Sequence, residues 1–149
     1  MSTITSPHRA PAVRSRRAER LLIVAAAAMA TSLVWVVASA PLGLELSQPG
    51  FGTQPPEALP IWWVAVITVV AGLAGWGVLA IIERVMSRPA VVWLAVSLVA
   101  LVLSLGGPAS GEGVGAANRL ALVAMHLAAG AVLIPSFYRS ARRRTGEDR

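Results

Sequence analysis

IWWVAVITVVAGLAGWGVLAIIER, residues 61–84, decides the fold. From Ile61 to Ile82 it runs 22 residues without a charge. As an α-helix rising 1.5 Å per residue, that run covers about 33 Å, the thickness of a bilayer's hydrocarbon core. Trp62 and Trp63 open it, where an interfacial aromatic belt would sit, and Glu83 and Arg84 close it. A water-soluble helix of this length would carry a polar face, and this one has none.

Outward from that stretch the pattern recurs three times. Leu21 to Ala40 holds 20 uncharged residues between Arg20 and Pro41, and Ala90 to Leu105 holds 16 before Gly106, Gly107 and Pro108. Leu120 to Tyr138 holds 19, with one ionisable group, His126, and a late Pro135. These runs predict an all-α polytopic membrane protein, a compact bundle of four transmembrane helices over residues 21–40, 61–82, 90–105 and 120–138. Arg-rich tails, residues 1–20 and 139–149, flank it. The third run is short and must recruit flanking residues or thin the bilayer locally. Ala38-Ser39-Ala40 fits a signal-peptidase pattern, but Pro41 would follow the cut and the apolar run exceeds the usual core of roughly 7–15 residues. A retained helix is expected.

Composition agrees. Of the 149 residues, 56% are hydrophobic and 13% charged, against roughly 45–50% and 25% in soluble domains; mean hydropathy is +0.68. The absence of cysteine excludes disulfides, thiolate metal sites and cysteine nucleophiles. All 13 basic residues are arginine against 7 acids, giving a net charge of +6. They lie in tails and short loops rather than on an aromatic-interleaved basic face, so no nucleic-acid partner is expected. They read instead as topology signals. Five arginines precede the first run (Arg9, Arg14, Arg16, Arg17, Arg20), Arg84 and Arg88 separate the second from the third, and five follow the fourth. With four spans these three segments share a side, and only Arg119 falls on the other, so both termini are expected in the cytoplasm of a cell whose inner membrane holds the chain. Arginines near the membrane can meet anionic lipid headgroups. Residues 41–60, rich in proline and glycine, read as an irregular external loop.

Reactive groups are few. His8 and Asp148, the sole aspartate, lie in the tails, so a Ser-His-Asp triad within the bundle is ruled out and no zinc spacing is present. No catalytic activity, metal or cofactor is expected. Gly72-Leu73-Ala74-Gly75-Trp76-Gly77 lies mid-span with no lysine after it and no strand before it. It is therefore no nucleotide loop, and Gly72 and Gly75 read as close helix contacts. Glu83, beside Arg84, reads as half of a helix-end ion pair. His126 lies six residues into its run, and counting along the helices places Ser32, Thr68 and Ser104 within a turn of its depth. These four are expected to form a polar layer pointing inward, serving interhelical hydrogen bonds, with substrate binding or proton relay as the alternative use.

Trp62 to Trp76 with Leu79-Ala80-Ile81-Ile82-Glu83-Arg84, then Leu103-Ser104-Leu105-Gly106-Gly107-Pro108, Ala124-Met125-His126-Leu127 and Leu133-Ile134-Pro135, are similar to an actinobacterial family of small four-helix integral membrane proteins known only as a domain of unknown function. The resemblance covers residues 20–139. It implies four spans and singles out Glu83, Ser104, Pro108 and His126, and it brings no activity or ligand. The expected function is a non-catalytic accessory or self-associating membrane module, with a homo-oligomer or another membrane protein as partner. The alternative is a small, dimeric proton-linked transporter using the layer around His126.

Overall fold

The computed structural model describes residues 10–49, 55–110 and 113–145. His8, Asp148, Glu112, the loop tip 50–54 and the ends of both tails lie outside the described residues. Each apolar run is helical, since the helix's own ladder is how such a segment satisfies its backbone N–H and C=O groups away from water. Helix α1 is Ala10–Ser39, α2 is Ile61–Val85, and α3 is Pro89–Ser104. A short α4, Gly106–Ser110, leads to α5, Ala116–Thr145. Four segments are long and apolar enough to cross a membrane: Arg16–Ser39, Ile61–Val85, Pro89–Pro108 and Ala116–Arg144.

The helix boundaries differ from the expected ones, most of all at three places. Helix α1 begins at Ala10 rather than Leu21, and α5 continues to Thr145 rather than stopping at Tyr138. Hydropathy marks where apolar surroundings would end, not where a helix ends, and the flanks are rich in alanine and arginine, both strong helix formers. In the third run, Gly106-Gly107-Pro108 does not break the chain away. Pro108 falls in the first turn of α4, where a missing N–H costs nothing. The span thereby recovers 20 residues, Pro89–Pro108.

The connection from α1 to α2 is more ordered than an irregular loop. Strands β1 (Ser47–Gln48) and β2 (Glu57–Ala58) pair antiparallel, Ser47 opposite Ala58. Trp35 Nε1 donates to the Leu59 carbonyl at 2.7 Å. The Asn118 amide donates to the Ser47 carbonyl at 2.7 Å and accepts from the Ser47 N–H at 3.1 Å, fastening the hairpin to the start of α5. Gly113 has φ +79°, and a Cβ there would lie 2.6 Å from Pro56 Cγ, so only glycine fits where the two loops touch.

Helices α1 and α5 form the central pair; α2 packs chiefly on α1 and α3 on α5. Near the arginine-rich end the core is Val24, Leu79, Ile82, Ala90, Trp93, Phe137 and Ala141. The Trp93 and Phe137 rings meet edge-on with centroids 5.5 Å apart. Under the hairpin a second core gathers Ala38, Leu46, Leu59, Val64, Ala121, Leu122 and Met125. The outward faces carry exposed Leu22, Leu33, Val70, Ile81, Val102 and Leu103, an apolar surface compatible with acyl chains.

Candidate functional site

Two places concentrate polar groups. The first lies between the two cores. Thr68, on the buried stripe of α2, comes within 3.0 Å of the Thr31 hydroxyl of α1. Each hydroxyl also reaches a carbonyl of its own helix, Thr31 to Ala28 at 3.0 Å and Thr68 to Val64 at 2.8 Å. With one hydrogen apiece, one donates backward while the other donates across. The expected partner on α1 was Ser32, at the right depth but one residue away, which turns a helix by about 100°. The inward stripe of α1 is Arg20, Val24, Ala27, Thr31 and Ala38, while Ser32 is only half-buried.

Ser104 and His126 do not join this pair by hydrogen bonds. Ser104 is exposed and donates to Leu101 O at 2.7 Å. His126 places Nδ1 2.8 Å from Leu122 O; a carbonyl only accepts, so Nδ1 carries the proton, and in a neutral ring Nε2 remains an acceptor. The expected layer is therefore not one hydrogen-bonded plane. Thr31, Thr68, Ser104 and His126 instead share the wall of one cavity of about 370 Å³, whose other walls include Trp63, Ile67, Met125 and Leu133. That volume is at the small end of ligand sites, which run from about 300 to 1,000 Å³.

The second place is the arginine-rich end. Arg20 Nη2 lies 2.5 Å from Glu83 Oε1, and Arg144 Nη1 lies 3.1 Å from Glu83 Oε2. Arg20 Nε also donates to Ser140 Oγ at 3.2 Å. One carboxylate thus ties α1, α2 and α5 together, with the Glu83 side chain 6% and the Arg20 side chain 9% exposed. The expected Glu83–Arg84 pair is corrected: Arg84 is exposed and is not a partner of Glu83. Neighbours in a helix point about 100° apart, so Glu83 turns inward as Arg84 turns out. Counting depth from the span ends would have put Arg20 and Glu83 at one level, since they are the charges that bound the first and second apolar runs. Arg144, inside what read as a solvated tail, carried no such signal. Farther out, Arg143 pairs with Glu19 at 3.1 Å, also joining α5 to α1.

The glycines divide. A Cβ at Gly72 would lie 3.0 Å from Val24 Cγ1, so α1 and α2 approach closely there. One at Gly75 would meet Trp93 Cη2 at 3.4 Å, an ordinary contact, and one at Gly77 would meet nothing within 4 Å.

Four helices long and apolar enough to cross a membrane, tied at one end by a buried carboxylate and parted near the other by an apolar cavity, define a small helical class of protein compatible with a membrane. Within that class the chain belongs to a family of unknown function, DUF6069, which matches residues 11–143. No curated protein and no solved structure matches it.

Proposed function

We propose that this chain is a multi-pass protein of a bacterial inner membrane, both termini cytoplasmic, acting as a non-catalytic module that associates with itself or with another membrane protein. The observation that carries the reading is how its intramembrane polar groups are used. Thr31, Thr68, Ser97, Ser104 and His126 all lie within hydrogen-bond reach of carbonyls of their own helices, and across helices Thr31 meets Thr68 while Trp93 Nε1 donates to the Ile134 carbonyl at 3.2 Å. Such bonds hold a scaffold together. The sorting of arginines to one end supports the orientation.

The native chain lacks cysteine, so single introduced thiols report sidedness directly. Glu57→Cys should label from outside intact cells, and Ser87→Cys only after the membrane is opened; the reverse pattern would overturn the orientation. In mild detergent the protein should emerge as a homo-oligomer or with a stoichiometric membrane partner, and a lone monomer would count against the module.

The shared cavity favours one second reading, a proton-linked carrier with His126 at its site. On the main reading, His126→Leu costs only the modest amount of one intramembrane hydrogen bond, about 0.6 kcal/mol. Purified protein in liposomes should then pass no protons. A proton flux abolished by His126→Gln, with folding intact, would transfer the function to the carrier.

A further inference from the structure

Between α1 and α2, at the arginine-rich end, lies a groove of about 520 Å³ that the proposed module does not use. Its rim is Arg16, Arg17 and Arg84, and its floor is Leu73, Trp76, Gly77 and Ala80. Arg20 also borders it, but is held by Glu83. The three rim arginines are exposed, and among the described residues none has an acidic partner. We infer that this groove binds an anionic glycerophospholipid, its phosphate held by Arg16, Arg17 and Arg84 and one acyl chain lying on the apolar floor.

Three observations carry the assignment. The charge is complementary to a phosphate and is unspent among the described residues. The polarity runs in the right order along the helix: Arg84 at the end of the span, Gly77 about 10 Å deeper, Leu73 about 16 Å deeper. A headgroup and the first part of an acyl chain have that same order. Guanidinium forks suit phosphate oxygens, and basic pockets between spans at a cytoplasmic face are fitted to lipid headgroups.

The third observation is Gly77. A glycine inside a helix is destabilising relative to alanine, and at Gly72 close packing against Val24 explains it. At Gly77 no neighbour lies within 4 Å of a built Cβ, so packing within the chain does not account for the missing side chain. Its effect is to leave the floor of the groove open to an outside occupant. The site rests on the proposed orientation only for the leaflet it faces. If thiol labelling reverses the topology, the groove moves to the other leaflet while its lipid preference stands.

The test uses the purified full chain in mild detergent, titrated with phosphatidylglycerol, with phosphatidylcholine of the same acyl chains, or with sodium phosphate. Binding is read by native mass spectrometry and by the thermal midpoint. Phosphatidylglycerol should bind at least about tenfold more tightly than phosphatidylcholine and raise the midpoint, and sodium phosphate should do neither. Arg17→Gln with Arg84→Gln should weaken phosphatidylglycerol about 20-fold and leave phosphatidylcholine unchanged. Gly77→Leu should keep the lipid-free midpoint and lose the phosphatidylglycerol gain. Equal binding of the two lipids, a gain reproduced by free phosphate, or wild-type lipid binding in both the Gly77→Leu and the double arginine variant would each overturn the site.

Discussion

Glu83→Leu is expected to destabilise the folded helices by about 3–5 kcal/mol, the cost of removing one partner from a buried ion pair. The reason is what stays behind. The Arg20 side chain is 9% exposed, and without Glu83 its guanidinium keeps only the Ser140 hydroxyl. A charge so placed must either remain poorly compensated or drag the start of α1 toward water. Removing both charges, Arg20→Leu with Glu83→Leu, should recover most of the loss, because an apolar pair in place of a buried ion pair is often neutral. Arg84→Ala should stay within about 0.5 kcal/mol, as exposed sites usually do. Denaturation in mixed micelles measures all three. Equal losses from Glu83→Leu and Arg84→Ala would show that Glu83 is no clamp.

The contrast between Glu83 and Arg84 also shows where the sequence stops being legible. Four long charge-free runs, three of them of bilayer length, announce four helices, because length and hydropathy are properties of a segment alone. Depth is nearly as readable, since a fixed rise per residue converts position into height. Thr31 and Thr68 meet where counting put a polar level. Rotation is not readable in the same way. A helix apolar all round gives no contrast between its faces, and Ser32 and Thr31 are equally plausible until neighbours are known. The same blindness made Arg84, adjacent in sequence, look like the partner of Glu83. Helix ends escape for another reason: the residues of α1 before Leu21 and of α5 after Tyr138 are polar yet helical. Arg144 and Glu19 therefore reach contacts that a reading of solvated tails leaves out. His126 shows the limit for the site itself. Its depth and its cavity neighbours Thr68 and Ser104 follow from counting, but its bond to Leu122 O depends on a rotamer that no spacing encodes.

Gly72→Leu is expected to be the most damaging substitution in the middle of the spans. In hydrocarbon the apolar transfer term between helices vanishes, since acyl chains are as apolar as leucine, and contact geometry decides. At Gly72 that geometry is tight: a built Cβ would meet Val24 Cγ1 at 3.0 Å, Cγ2 at 3.1 Å and Cβ at 3.4 Å. Valine is branched at Cβ and held to one preferred helical rotamer. It cannot swing clear as Leu101 can opposite Gly130, where the nearest atoms are the terminal methyls at 3.0 and 3.2 Å. Overpacking of this kind costs about 1–3 kcal/mol, and a full leucine, which must push α2 off α1, belongs at the upper end. Gly75→Leu should cost less, since its first contact is Trp93 at an ordinary 3.4 Å. Val70→Leu, on a 56% exposed outward position, should cost almost nothing. Val24→Ala removes the two methyls in the way, so it should lessen the loss caused by Gly72→Ala, a coupling that independent sites would not show. Thermal midpoints in one detergent decide it. If Gly72→Leu and Val70→Leu melt together, or if Val24→Ala merely adds its own loss to that of Gly72→Ala, then α1 and α2 do not meet along the Val24–Gly72 line.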